Sequence, residues 1–128
     1  MKKYLMIMLL FINSLLYAVE TTIDFKYIGI WQLLGISESG SEIYQNGDMR
    51  NMVVIDMNEI MVIGVDDSPR KIKSIITKRD LQGIKITTII MENCRFYYII
   101  QDTSENSIMF KMMIVENNKE QLRFILGK

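Results

Sequence analysis

The chain of 128 residues has no histidine, one cysteine and one proline. Without histidine it lacks the commonest general base and the commonest metal ligand. That weighs against a hydrolase triad and against a zinc site, and no cofactor is expected. The lone cysteine, Cys94, has no internal partner, so no disulfide can staple the fold. Cys94 falls in a strand-like run and reads as a small apolar core residue. Neither sign of charge dominates, with 15 basic and 15 acidic residues. A balanced domain has no electrostatic reason to hold nucleic acid or an anionic membrane surface. Helical periodicity is missing too: after the first 18 residues no window of about a dozen carries an apolar stripe at helical spacing.

What is present begins with a leader. Lys2 and Lys3 precede an apolar run from Tyr4 to Tyr17, broken only by Asn13 and Ser14, and Ala18 supplies a small residue at its end. This is the layout of a secretory signal peptide, and the run is shorter than the roughly 20 residues a spanning helix needs. The expected organisation is a signal peptide over 1–18 and one domain over 19–128. The expected location is the periplasm or the extracellular space, with no integral membrane segment after cleavage. Removing Lys2 and Lys3 from the 15 basic residues, against 15 acidic, leaves a net charge of about −2.

The rest of the chain reads as one strand after another. Strands are expected over Tyr27–Ile36, Met52–Met57, Ile60–Val65, Lys71–Lys78, Ile84–Met91, Cys94–Gln101, Ile108–Val115 and Leu122–Leu126, rich in β-branched and aromatic residues. Asp66-Asp67-Ser68-Pro69 reads as a turn. Val19–Asp24 reads as a loose lead, and Ser37–Arg50 as a long loop or lid into which Ile43 and Tyr44 dip. About eight strands joined by short connections make an all-β chain, and an up-and-down antiparallel β-barrel of about eight strands removes the exposed edges.

Gly29-Ile30-Trp31, on the first expected strand, resembles the Gly-x-Trp signature of lipocalins and related calycin barrels. The resemblance implies a lipocalin-like barrel in which the tryptophan packs at one end and a cation from the last strand lies across it. Gly29, Trp31 and Arg123 are therefore the expected closure residues, because a guanidinium can stack on an indole face. The chain is short for that family. Its second motif, a Thr-Asp pair midway, has no clear counterpart.

If one parity of each strand faces a ligand, Phe96, Tyr98, Phe110, Met112 and Phe124 line it, a set suited to an apolar molecule. The same residues can instead meet and fill a core. Tyr97, Met109 and Met113 take the opposite parity and would form an outer apolar patch. Two functions follow: an exported barrel holding a small hydrophobic ligand, or a filled-core barrel that engages an envelope protein through its loops or outer face, as an inhibitor or accessory protein. No catalytic constellation stands out. Asp66 and Asp67 adjoin a turn proline, Asp56 and Glu59 flank a hairpin, and Ser37, Ser39 and Ser41 lack a Gly-x-Ser-x-Gly frame. An enzyme is not expected.

Overall fold

The computed structural model describes residues 18–20, 23–38, 41–46 and 52–128. The expected leader, apart from Ala18, lies outside the described residues. Ten strands and one short 3-10 turn follow in order. They are β1 (Ala18–Glu20), the turn Phe25–Tyr27, β2 (Gly29–Glu38), β3 (Gln45–Asn46), β4 (Met52–Ile55), β5 (Glu59–Val62), β6 (Asp66–Arg79), β7 (Lys85–Met91), β8 (Phe96–Ser104), β9 (Ser107–Ile114) and β10 (Glu120–Gly127).

From β4 to β10 each strand pairs antiparallel with the next, β2 pairs with β4, and β10 returns to pair with β2. Eight strands thus close into an up-and-down barrel. The all-β expectation and the strand number hold. Two short strands lie off this circuit. β3 pairs with Gly35 and Ile36 of β2. β1 pairs with Ile75–Thr77 of β6, in line with the short β5, which pairs with the earlier half of β6. No helix among the described residues is long and apolar enough to cross a membrane.

Alternation explains the core. In β2 the buried residues are Trp31, Leu33, Gly35 and Ser37, while Ile30 and Leu34 face out and are exposed. In β8 to β10 the buried set is Tyr98, Ile100, Ile108, Phe110, Met112, Phe124 and Leu126. These meet Val53, Ile55, Ile60, Val62, Ile75 and Ile89 from the opposite wall in one cluster. Period 2 places alternate residues on opposite faces, so each strand supplies half its residues to a single interior.

Several expected boundaries move, each for a physical reason. Tyr27 is not in the first strand. Asp24 caps a 3-10 turn, its carboxylate accepting from the Lys26 amide at 3.2 Å, and the strand starts at Gly29. Asp66-Asp67-Ser68-Pro69 is strand, and the chain reverses earlier, at Ile63-Gly64-Val65, where Gly64 has φ 92. Val62 opposes Asp66 and Ile60 opposes Arg70, so the residues between make a bulge against Met61. A bulge tolerates proline because the missing N–H is not required there. A second irregularity between Ile72 and Ser74 shifts the inward parity of β6 from Ile72 to Ile75. Cys94 falls in the turn before β8 and packs half-buried against the core.

The lead and the long loop are more ordered than expected where they are described. Ala18–Glu20 is a paired strand and Ile23 is buried. β2 continues through Glu38, and the Ser37 hydroxyl donates to the Ser41 carbonyl. Ile43 and Tyr44 do not dip inward; they are 78% and 38% exposed. Residues 39–40 and 47–51 lie outside the described residues.

Candidate functional site

The antiparallel circuit gives the barrel two unlike ends. One carries the 3-10 turn and the connections 56–58, 80–84 and 105–106; the other carries the connections 63–65, 92–95 and 115–119 and the segment after β2. The first end is plugged and the second is a mouth.

Tyr27 is the plug. It is buried, and its hydroxyl donates to Asp102 Oδ1 at 2.6 Å. Lys26 and Lys85 Nζ lie 5.0 and 5.6 Å from its ring centroid. Those ammonium groups are themselves paired, Lys26 with Asp102 at 2.5 Å and Lys85 with Asp24 at 2.8 Å. Burial, reinforced by the Asp102 carboxylate, pushes the Tyr27 hydroxyl pKa well above the ordinary phenol value. Burial alone would raise Asp102, but the hydrogen bonds from Lys26 and Tyr27 outweigh it and hold Asp102 below the ordinary carboxylate range.

Trp31 packs beside the plug, its Nε1–H donating to the Tyr27 carbonyl at 2.8 Å. A cation does lie over its ring, but it is Lys128, with Nζ 5.1 Å from the centroid and donating to the Ile28 carbonyl at 2.6 Å. Arg123 is not the closure cation. It chelates Glu120 through Nε and Nη2 at 2.6 and 2.7 Å, and Nη1 reaches the Tyr44 hydroxyl at 3.4 Å. The Glu120 hydrogen bonds, then Tyr44, raise the Arg123 pKa further. The reason is register. Arg123 opposes Ser37, whereas Gly127 opposes Gln32 and so brings Lys128 level with Trp31. At 3.3 Å per residue, Ser37 lies about 20 Å along the strand from Trp31. Gly29 makes room for this contact: a Cβ there would lie 2.8 Å from Lys128 Cε.

The expected lining residues do converge. Tyr98, Phe110, Met112 and Phe124 are buried together, and Phe96 packs half-buried beside them. The rings meet in sequence, Tyr98 to Phe110 at 4.8 Å between centroids and Phe110 to Phe124 at 6.1 Å, nearly parallel. Beside Phe124, towards the mouth, the cavity bounded by Leu33, Ile36, Val53, Val62 and Val65 measures about 20 Å³. That admits a single water, whereas small-molecule pockets span about 300–1,000 Å³.

Two open clefts of about 440 Å³ each flank this packed centre. The cleft at the plugged end is lined by Lys26, Tyr27, Trp31, Asp102, Glu105 and Ile108. The cleft at the mouth is lined by Val65, Asp66, Arg70, Cys94, Arg95 and Phe96, with Asn93 between. Asp66 and Arg70 oppose the buried Val62 and Ile60. Directly opposed residues share a face, so this ion pair sits on the inner side of the wall. Arg70 donates from Nε and Nη2 to the two Asp66 oxygens at 2.7 and 3.1 Å. The Arg70 hydrogen bond holds the Asp66 pKa below the ordinary carboxylate range. Tyr98 is buried in the core, its hydroxyl pKa pushed up chiefly by burial.

Periodicity alone passes over Tyr27, Lys128, Arg70 and Arg95. Lys128 comes level with Trp31 only through the register shift between Ile125 and Leu126, and nothing local marks the others. No group of three or more histidine, cysteine, aspartate or glutamate residues among the described residues could hold a metal ion. No family model, no curated protein and no solved structure matches the chain.

Proposed function

We propose that this chain is an exported, lipocalin-like binding barrel with a filled core, which engages its partner through the rim of its mouth. The observation that carries this reading is the Tyr98–Phe110–Phe124 ring series, which occupies the interior and leaves about 20 Å³ beside it. An apolar ligand of ordinary size would have to displace those rings. The mouth end, by contrast, presents Val65, Val115, Ile43 and Tyr44 as exposed apolar side chains, and Val65 lines the mouth cleft itself. Export rests on Lys2, Lys3, the apolar run and Ala18. The lipocalin-like assignment is supported by the closed eight-strand barrel, by Gly29 and Trp31 at its plugged end, and by a cation beyond the last strand lying over the indole.

Methyl NMR during titration with a fluorescent apolar probe and with dodecanoate tests the filled core. The expected result is no shift at the interior methyls of Ile89, Ile100 and Leu126, and no ligand retained in native mass spectrometry. Stoichiometric uptake with shifts at those methyls would replace this reading with an interior ligand carrier.

A further inference from the structure

The two clefts have equal volume but different charge. At the plugged end Lys26 is consumed by Asp102, and Glu105 adds a second carboxylate to the lining. At the mouth the lining holds two guanidinium groups, Arg70 and Arg95, against the single carboxylate of Asp66. The balance there is one positive charge. Asp66 engages Nε and Nη2 of Arg70, and Nη1 makes no hydrogen bond among the described residues. Asp66 therefore fixes the orientation of Arg70 and leaves one donor edge uncommitted. Arg95 makes no ion pair among the described residues; its Cζ lies 4.9 Å from the Phe96 centroid. A guanidinium over an aromatic face still has its N–H donors for an anion.

We infer that the mouth cleft is a binding site for a carboxylate carried next to an aromatic or apolar group. Arg95 and the free edge of Arg70 receive the carboxylate, and Phe96 and Val65 receive the apolar part. Charge-assisted and bidentate bonds from arginine suit a planar carboxylate. One excess positive charge matches a monoanion rather than a phosphate dianion. The volume is at the lower end of the ligand-pocket range, and the packed Tyr98–Phe110–Phe124 series inside the barrel leaves no room for a long alkyl tail. The carboxylate can belong to a small free acid or to the chain terminus of a protein partner. This inference rests on the filled-core reading and specifies the chemistry that its rim recognises.

Cys94 provides the readout, because it lines the cleft and is the chain's single cysteine. Its alkylation by neutral iodoacetamide is followed by mass spectrometry with phenylacetate, phenylacetamide, acetate, or a phenylalanine-ending peptide with a free or amidated terminus. The expected result is that phenylacetate or the free-acid peptide slows alkylation at least several-fold, and the matching amide does not. Protection by phenylacetate points to a free acid; protection by the peptide at lower concentration points to a chain end. Arg95→Gln, on an exposed side chain, should abolish the protection without unfolding the barrel, and Arg70→Gln should weaken it. Equal protection by acid and amide, protection by acetate as strong as by phenylacetate, or no protection by either acid would overturn the site. Shifts at the Ile89 and Ile100 methyls in the same samples would instead overturn the filled core, so the two failures are told apart.

Discussion

Lys128 Nζ lies 5.1 Å from the Trp31 ring centroid and donates to the Ile28 carbonyl at 2.6 Å. The contact joins the start of β2 to the residue that follows β10, the two strands whose pairing closes the barrel. A cation–π contact at an exposed site contributes about 0.5–1 kcal/mol. Trp31→Ala is expected to destabilise by roughly 3–5 kcal/mol, as large-to-small core changes do. In a urea double-mutant cycle, Lys128→Ala should lose most of its effect once Trp31 is alanine, whereas Arg123→Ala should be additive with Trp31→Ala. The reverse pattern would restore Arg123 as the closure cation.

Gly29 has φ 142, and the space its Cβ would need is filled by Lys128 Cε at 2.8 Å. Gly29→Ala meets both difficulties. Lys128 can move aside, but then the cation leaves the indole. The expected cost is about 1–3 kcal/mol from backbone strain, together with loss of the Lys128–Trp31 coupling in the same cycle. Gly83→Ala, at φ 82 with open space around its Cβ, isolates the backbone part. Equal cost at both sites with the coupling intact would remove the steric half of this account.

The acid limb of stability should run through Asp102. Burial opposes its ionisation, and the hydrogen bonds from Lys26 and Tyr27 more than reverse that, so its folded pKa lies below the unfolded value. Stability from such a group is present above the unfolded pKa, about 3.9, and is lost as pH falls through the folded value. Urea midpoints measured between pH 6 and pH 2 should therefore drop steeply below about pH 4. Asp24 and Asp66 act in the same direction through Lys85 and Arg70. Asp102→Asn should lower the midpoint at pH 6 and make the acid limb shallower; an unchanged limb would remove Asp102 from the account.

At alkaline pH the sign reverses. Burial raises the hydroxyl pKa of Tyr27, reinforced by Asp102, and that of Tyr98. Their contribution is complete below the unfolded phenol pKa, about 10, and is lost as pH rises past it. Ultraviolet titration should show exposed tyrosines ionising first. Tyr27 and Tyr98 should ionise only in step with loss of the near-ultraviolet circular dichroism. Ionisation of all tyrosines near pH 10 in the folded protein would show that neither is sealed from water.

Phe110 is fully buried between Tyr98 and Phe124. Phe110→Ala should cost about 3–5 kcal/mol and open an apolar cavity. The variant, unlike the parent, is expected to take up benzene, because a dry apolar cavity of that size binds it. Benzene uptake by the parent would mean that the ring series yields to a ligand.

Much of the barrel was legible in the residues because alternation is a local property. Phe96, Tyr98, Phe110, Met112 and Phe124 share an inward parity whatever strands lie beside them, and the structure gathers them in one core. The Gly29–Trp31 pair marked the right strand, and a cation beyond the last strand does lie over the indole. Which cation it is could not be read locally. Lys128, not Arg123, faces Trp31 because pairing between β10 and β2 sets the offset, including the irregularity between Ile125 and Leu126. The same holds for Asp66–Pro69, whose composition favours a turn but which Val62 and Ile60 hold as a bulged strand. It holds for the mouth cleft too, where Arg70 comes from β6 and Arg95 from the connection between β7 and β8. Composition and period 2 determined that this chain is an all-β barrel with an apolar inside. Register, bulges and the convergence of distant turns were decided by tertiary structure, because each depends on which residue of another strand completes the hydrogen-bond ladder.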